Sequence, residues 1–88
     1  MSSAIVLKAL AMEARLLRAK LRVYDAMIHE LEEKYGMSSD EFLTRFEKGE
    51  LGDEEDYFIW WSYLRAKAVT LERLKELEKE IQRLQRLR

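Results

Sequence analysis

Asp25, His29 and Glu32 lie three and four residues apart, a spacing that puts all three on one side of a helix. A carboxylate, an imidazole and a second carboxylate in that pattern could hold a metal ion. A di-iron helical bundle asks for more: a Glu-x-x-His pair on each of two helices and further Glu ligands inside the core. With one His in the chain and Asp25 and His29 at polar edge positions, the residues fit a solvated salt-bridge face better. The run Asp53-Glu54-Glu55-Asp56 could attract a cation. It lacks the ligand spacing and the glycine turn of a calcium loop, so helix-start charge explains it better. Ser2, Ser3, Ser38, Ser39 and Ser62 have no His/Asp relay in view, and Ser38 is accounted for by helix capping. No glycine-rich phosphate loop occurs. With no Cys, neither a thiolate nucleophile nor a disulfide framework can form. The residues therefore predict a non-enzymatic chain with no cofactor and no metal.

The remaining chemistry is charge and apolar surface. Net charge is -1 over 88 residues. Residues 36–56 hold two basic and eight acidic side chains, a net of -6, whereas residues 57–88 hold eight basic and four acidic, a net of +4. Lys79, Arg83, Arg86 and Arg88 could touch phosphate. Against this, the third predicted helix opens on four acidic residues, where a recognition helix would have to meet DNA. Nucleic acid is not expected as a partner. The apolar-rich stretch Ala4–Leu17 is interrupted by Lys8 and Glu13 and is too short to span a bilayer. No secretory signal is visible, and the expected location is cytoplasmic.

The elements that must carry these groups are all helical. Three Gly, no Pro and 48% hydrophobic residues argue for long helices without frequent turns. The reading is a single domain over residues 1–88: an all-α, antiparallel hairpin of two long helices with a short helix at the bend, assembling into a helical bundle. Helices are expected over about 3–35, 39–48 and 53–86. In the first, Leu7, Leu10, Ala14, Leu17, Leu21, Tyr24, Ile28, Leu31 and Tyr35 repeat at three and four for four heptads. Gly36 follows as the left-handed C′ residue. Ser38 and Glu41 form a capping box, and Met37 with Phe42 the matching staple. Gly49 ends the second helix, Gly52 belongs to the next turn, and Asp53 caps the third helix. There, Tyr57, Trp61, Leu64, Ala68 and Leu71 read as one stripe, continued after a three-residue slip by Leu74, Leu77, Ile81 and Leu84. Glu72 with Lys75, Glu76 with Lys79 and Glu80 with Arg83 are spaced to pair on its solvated side.

The first helix has a second apolar stripe, nearly opposite the first: Ile5, Ala9, Met12, Leu16, Ala19, Val23 and Ala26. A hairpin partner can cover only one of the two. The other predicts self-association as a homodimer or a dimer of dimers, ending where the stripe reaches Glu30 and Glu33. So short a chain, with no disulfide or metal, gains most from such association. The aromatic start of the third helix, with Tyr57, Trp60, Trp61 and Tyr63, is the candidate surface for another protein, because Trp and Tyr favour interfaces.

The bend segment is familiar as a pattern. Lys34-Tyr35-Gly36-Met37-Ser38-Ser39-Asp40-Glu41-Phe42, then Phe46-Glu47-Lys48-Gly49-Glu50-Leu51-Gly52-Asp53 and Tyr57-Phe58-Ile59-Trp60-Trp61, resembles small prokaryotic helical antitoxin proteins. The resemblance covers about 28 residues, and much of it is also capping chemistry. It implies a protein that neutralises a toxin partner, with toxin contact to be sought at Tyr57, Trp60, Trp61 and Tyr63. The alternatives are a purely structural coiled-coil oligomerisation protein and, more remotely, a metal-dependent helical-bundle enzyme.

Overall fold

Gly36 and Gly49 are the two described residues with a left-handed backbone, at φ +63° and +70°, and they divide the chain. The computed structural model describes residues 3–87, so Ser2 and Arg88 lie outside it. Three helices follow in order: α1 (Ser3–Tyr35), α2 (Ser39–Glu47) and α3 (Glu55–Arg86). The two long helices pack against each other and α2 lies between them in the chain, within an envelope of 54 × 20 × 17 Å. The long dimension agrees with the roughly 50 Å expected of a helix of this length at about 1.5 Å per residue.

Each helix end has a local cause. The amides of Gly36 and Met37 both donate to the Glu32 carbonyl, at 2.9 and 3.3 Å, and close α1. Ser38 caps α2, its hydroxyl accepting from the Glu41 amide at 3.1 Å. The reciprocal half of the expected capping box does not form, because the Glu41 carboxylate accepts from Arg45 one turn on, at 3.2 Å. Met37 packs on the cluster that holds Phe42, as a staple should. α2 stops at Glu47, one residue earlier than expected, with Lys48 as its cap. α3 starts at Glu55 with Glu54 at the N-cap, not Asp53, and Glu54 makes no side-chain cap bond. Its carboxylate instead accepts from the Tyr35 hydroxyl at 3.1 Å.

The α1 seam is the one its heptads predict. Ala14, Ile28 and Leu31 are buried, and Leu10, Leu17 and Leu21 pack around Ala14, Leu74 and Leu77. The α3 seam differs from the expectation. It runs through Trp60, Tyr63, Lys67, Thr70, Leu74, Leu77, Ile81 and Leu84, alternating three and four with no slip. Trp60, Thr70, Leu74 and Leu77 are its buried members, while Trp61, Ala68 and Leu71 are exposed. The apparent stammer arises from following apolar residue types across Lys67 and Thr70, two polar residues that occupy seam positions.

Among the described residues, four ion pairs cross between the long helices: Glu13 with Arg73 (2.9 Å), Arg18 with Glu78 (3.1 Å), Asp25 with Lys67 (2.7 Å) and Lys34 with Asp56 (2.6 Å). Exposed pairs of this kind add little stability, but they fit one antiparallel register. Of the three pairs expected along α3, Glu80 with Arg83 forms. Glu76 is reached by Arg73 instead, at 3.8 Å. Glu72–Lys75 and Glu76–Lys79 do not close among the described residues.

Candidate functional site

Two surfaces stand out, one on each long helix. On α1, Ile5, Met12, Leu16 and Val23 are between 51% and 64% exposed. They lie at four- and three-residue intervals with Ala9 and Ala26, also exposed, and Ala19, half-buried. The face points away from α3 because the α1 seam takes the opposite side of the helix. Among the described residues of the single hairpin, none covers it.

At the bend end, the structure separates the four aromatic residues proposed as a partner surface. Trp60 is fully buried and cannot serve as one. Its phase puts it in the seam, stacked on Phe42 from α2, with Tyr35 against it at 6.1 Å. Tyr57 is half-buried between Tyr35 (5.1 Å) and Phe42 (6.0 Å), and Tyr63 is half-buried facing Tyr24 at 6.0 Å. Trp61 alone is exposed, at 38%. Its true companion is Phe58, 52% exposed, whose ring meets Phe46 edge-on at 5.6 Å. The guanidinium of Arg65 lies over the Trp61 ring at 5.8 Å. Residue type alone could not sort these aromatics. Counting the heptads back from Leu84 through Leu77 and Leu74 would have placed Trp60 inside and Phe58 and Trp61 outside.

Beneath this surface runs a hydrogen-bond chain that residue spacing did not reveal. Trp60 Nε1 donates to Ser39 Oγ at 3.0 Å, and Ser39 Oγ donates to Glu32 Oε2 at 2.8 Å. The same carboxylate oxygen accepts the Ser39 amide at 3.0 Å. All three helices are tied through these few atoms. The Ser39 hydroxyl, donating to Glu32 and accepting from Trp60, positions both side chains.

Beside it lies a second polar cluster. Asp56 Oδ2 accepts from Lys34 Nζ at 2.6 Å and from the Tyr35 hydroxyl at 2.7 Å. Lys34 first, and then Tyr35, hold the Asp56 carboxyl below the usual carboxylate range. In return the hydrogen bond to Asp56 raises Lys34, and the same carboxylate pushes the Tyr35 phenol well above its ordinary value.

The candidate metal residues do not converge. Asp25 pairs with Lys67, His29 Nε2 lies 3.0 Å from the Glu33 carboxylate, and Glu32 binds Ser39. Among the described residues, no three His, Asp or Glu side chains are placed to hold an ion. An open groove of about 480 Å³ runs between Asp25, His29, Lys67 and Leu71 beside the bend. Another, of about 430 Å³, lies along Lys8, Met12, Arg15 and Arg18. Among the described residues no helix is long and apolar enough to cross a membrane. Comparison with family models, with curated proteins and with solved structures gives no match.

Proposed function

We propose that the chain is a non-enzymatic interaction module: a helical hairpin that self-associates through the outer face of α1 and holds a partner protein at its bend end. The observation that carries this reading is the line of exposed apolar side chains from Ile5 to Val23 on a helix whose other side already forms the hairpin seam. A face about 19 residues long covers about 28 Å of helix at about 1.5 Å per residue. Continuous apolar surface of that extent marks an interface. The partner, on the resemblance of the bend segment to small antitoxin proteins, is a toxin, and the setting is a prokaryotic cytoplasm.

Light scattering at micromolar concentration tests the first half. A dimer or a dimer of dimers is expected, and the double change Leu16→Glu with Val23→Glu should reduce it to a monomer; a monomeric parent chain would refute self-association. Co-purification with the product of the adjacent gene tests the second half, and no complex with a toxic neighbour would remove the antitoxin reading. Complete burial of Trp60 also fits a second reading, a purely structural oligomerisation coiled coil. That reading is favoured if the chain associates but binds no other protein.

A further inference from the structure

We propose that the Phe58–Trp61 face is the docking surface for a basic protein, one that presents an apolar side chain ringed by Lys or Arg. The inference rests on the partner-binding reading above and gives the partner its chemistry. Phe58, Trp61 and Arg65 follow one another at three and four residues, so they share a strip of α3, and that strip lies opposite the seam position of Trp60. Phe46 of α2 supports the strip from the side through its edge-on contact with Phe58. Exposed Phe and Trp rings fixed on rigid helices, beside an Arg, are the composition of a binding hot spot.

The charge around the strip selects the partner. Glu47, Glu50, Asp53 and Glu55 are exposed carboxylates at this end with no ion pair or side-chain hydrogen bond among the described residues. Glu55 lies three residues before Phe58, about one turn away on the same side of the helix. The segment 36–56 carries a net of -6, and Lys48 is its one cation outside the Glu41–Arg45 pair. A field of that sign steers basic partners and raises their rate of encounter. It repels phosphate, which argues against nucleic acid and anionic lipid. A second copy is also the wrong occupant, because a two-fold contact through this face would bring two such segments together. Arg65 and Lys67 begin the basic stretch of α3, so the partner's cations should meet the acidic loop side, beyond Phe58, and its apolar group the rings of Phe58 and Trp61.

The probe is a designed amphipathic Leu/Lys helix of about 18 residues, roughly five turns at 3.6 residues per turn. It is titrated against the full chain by calorimetry, with a Leu/Glu counterpart as control. The Leu/Lys peptide should bind and the Leu/Glu peptide should not. Phe58→Ser should weaken binding at least tenfold, as should joint neutralisation of Glu47, Glu50, Asp53 and Glu55 to Gln or Asn. Neutralising Glu72 and Glu76, farther along α3, should leave it unchanged. Light scattering on the same samples keeps the two interfaces apart: binding should persist in the Leu16→Glu, Val23→Glu monomer, and Phe58→Ser should not alter the oligomer. The proposal is overturned by absence of binding, by equal binding of the Leu/Glu peptide, by binding insensitive to both bend-end variants, or by loss of the oligomer in Phe58→Ser.

Discussion

The indole of Trp60 lies flat on the ring of Phe42, the planes 3° apart and the centroids 4.0 Å apart. Both rings are fully buried, and they join α3 to α2 at the point where Leu31 of α1 closes the cluster. Trp60→Ala should therefore cost about 3–5 kcal/mol, the range for deleting a large buried ring. In a chain of this size that is a large share of a total stability of about 4–13 kcal/mol, at roughly 0.05–0.15 kcal/mol per residue. Urea unfolding followed by far-ultraviolet circular dichroism checks it. Trp60→Phe keeps one ring on Phe42 but removes the donor to Ser39 and leaves a smaller cavity, so it should cost less than the alanine change, about 2 kcal/mol.

The three glycines should respond unequally to alanine. At Gly36 and Gly49 a Cβ would meet open space, but φ lies at +63° and +70°. Substitution there should cost about 1 kcal/mol each through backbone strain. Gly52 has neither a left-handed backbone nor a close neighbour, so Gly52→Ala should be neutral within about 0.5 kcal/mol. Thermal midpoints of the three single variants separate these outcomes.

Acid and alkali should both loosen the junction of α1 and α3, each through a different group. The Asp56 carboxyl is held down by Lys34 and Tyr35, so the stability it contributes is present above its unfolded value of about 4 and is lost as pH falls through the lower folded value. Tyr35 and Lys34 are raised, so their contribution is complete below about 10 and is lost as pH rises through the higher folded values. The melting temperature should be level near neutrality and fall at both extremes. Asp56→Asn should flatten the acid limb and weaken the alkaline one; unchanged limbs would show that the cluster does not couple to folding.

The phase of the α3 seam predicts a contrast between two leucines three residues apart. Leu74 is buried against Ala14 and Leu77, and Leu74→Ala should cost about 2–5 kcal/mol. Leu71 is exposed, and Leu71→Ala should stay within about 0.5 kcal/mol. Equal costs, measured by denaturant unfolding, would place the slip back in the helix.

Much of this architecture is legible in the residues because its punctuation is local. Gly36, Ser38 and Gly49 mark helix ends through their own backbone and capping chemistry, and the nine seam residues of α1 repeat without interruption. α3 resists the same reading at its start. Tyr57, Phe58, Ile59, Trp60, Trp61, Tyr63 and Leu64 are apolar on all sides, so hydrophobicity there carries no phase. Lys67 and Thr70 then hide the seam under polar side chains. The Trp60–Ser39–Glu32 chain was illegible for another reason, since it joins residues that only the bend brings together. Asp53 looked like the cap because of its type, but Glu54 takes that position, and its carboxylate is held at Tyr35.

The two ends of the hairpin are fastened very differently. At the bend, chain connectivity, stacked rings and half-buried hydrogen bonds act together. At the far end, the first turns of α1 and the last turns of α3 are held by the half-buried side chains of Leu7, Leu10, Ile81 and Leu84. Amide protons should therefore exchange fastest at the open tips and slowest near Leu31 and Trp60, a gradient like that of a zip fastened at one end. The uncovered stripe from Ile5 to Val23 lies mostly in the looser half. A second chain seated there would act as a clasp, and on dilution the hairpin should fray from its tips before its bend gives way.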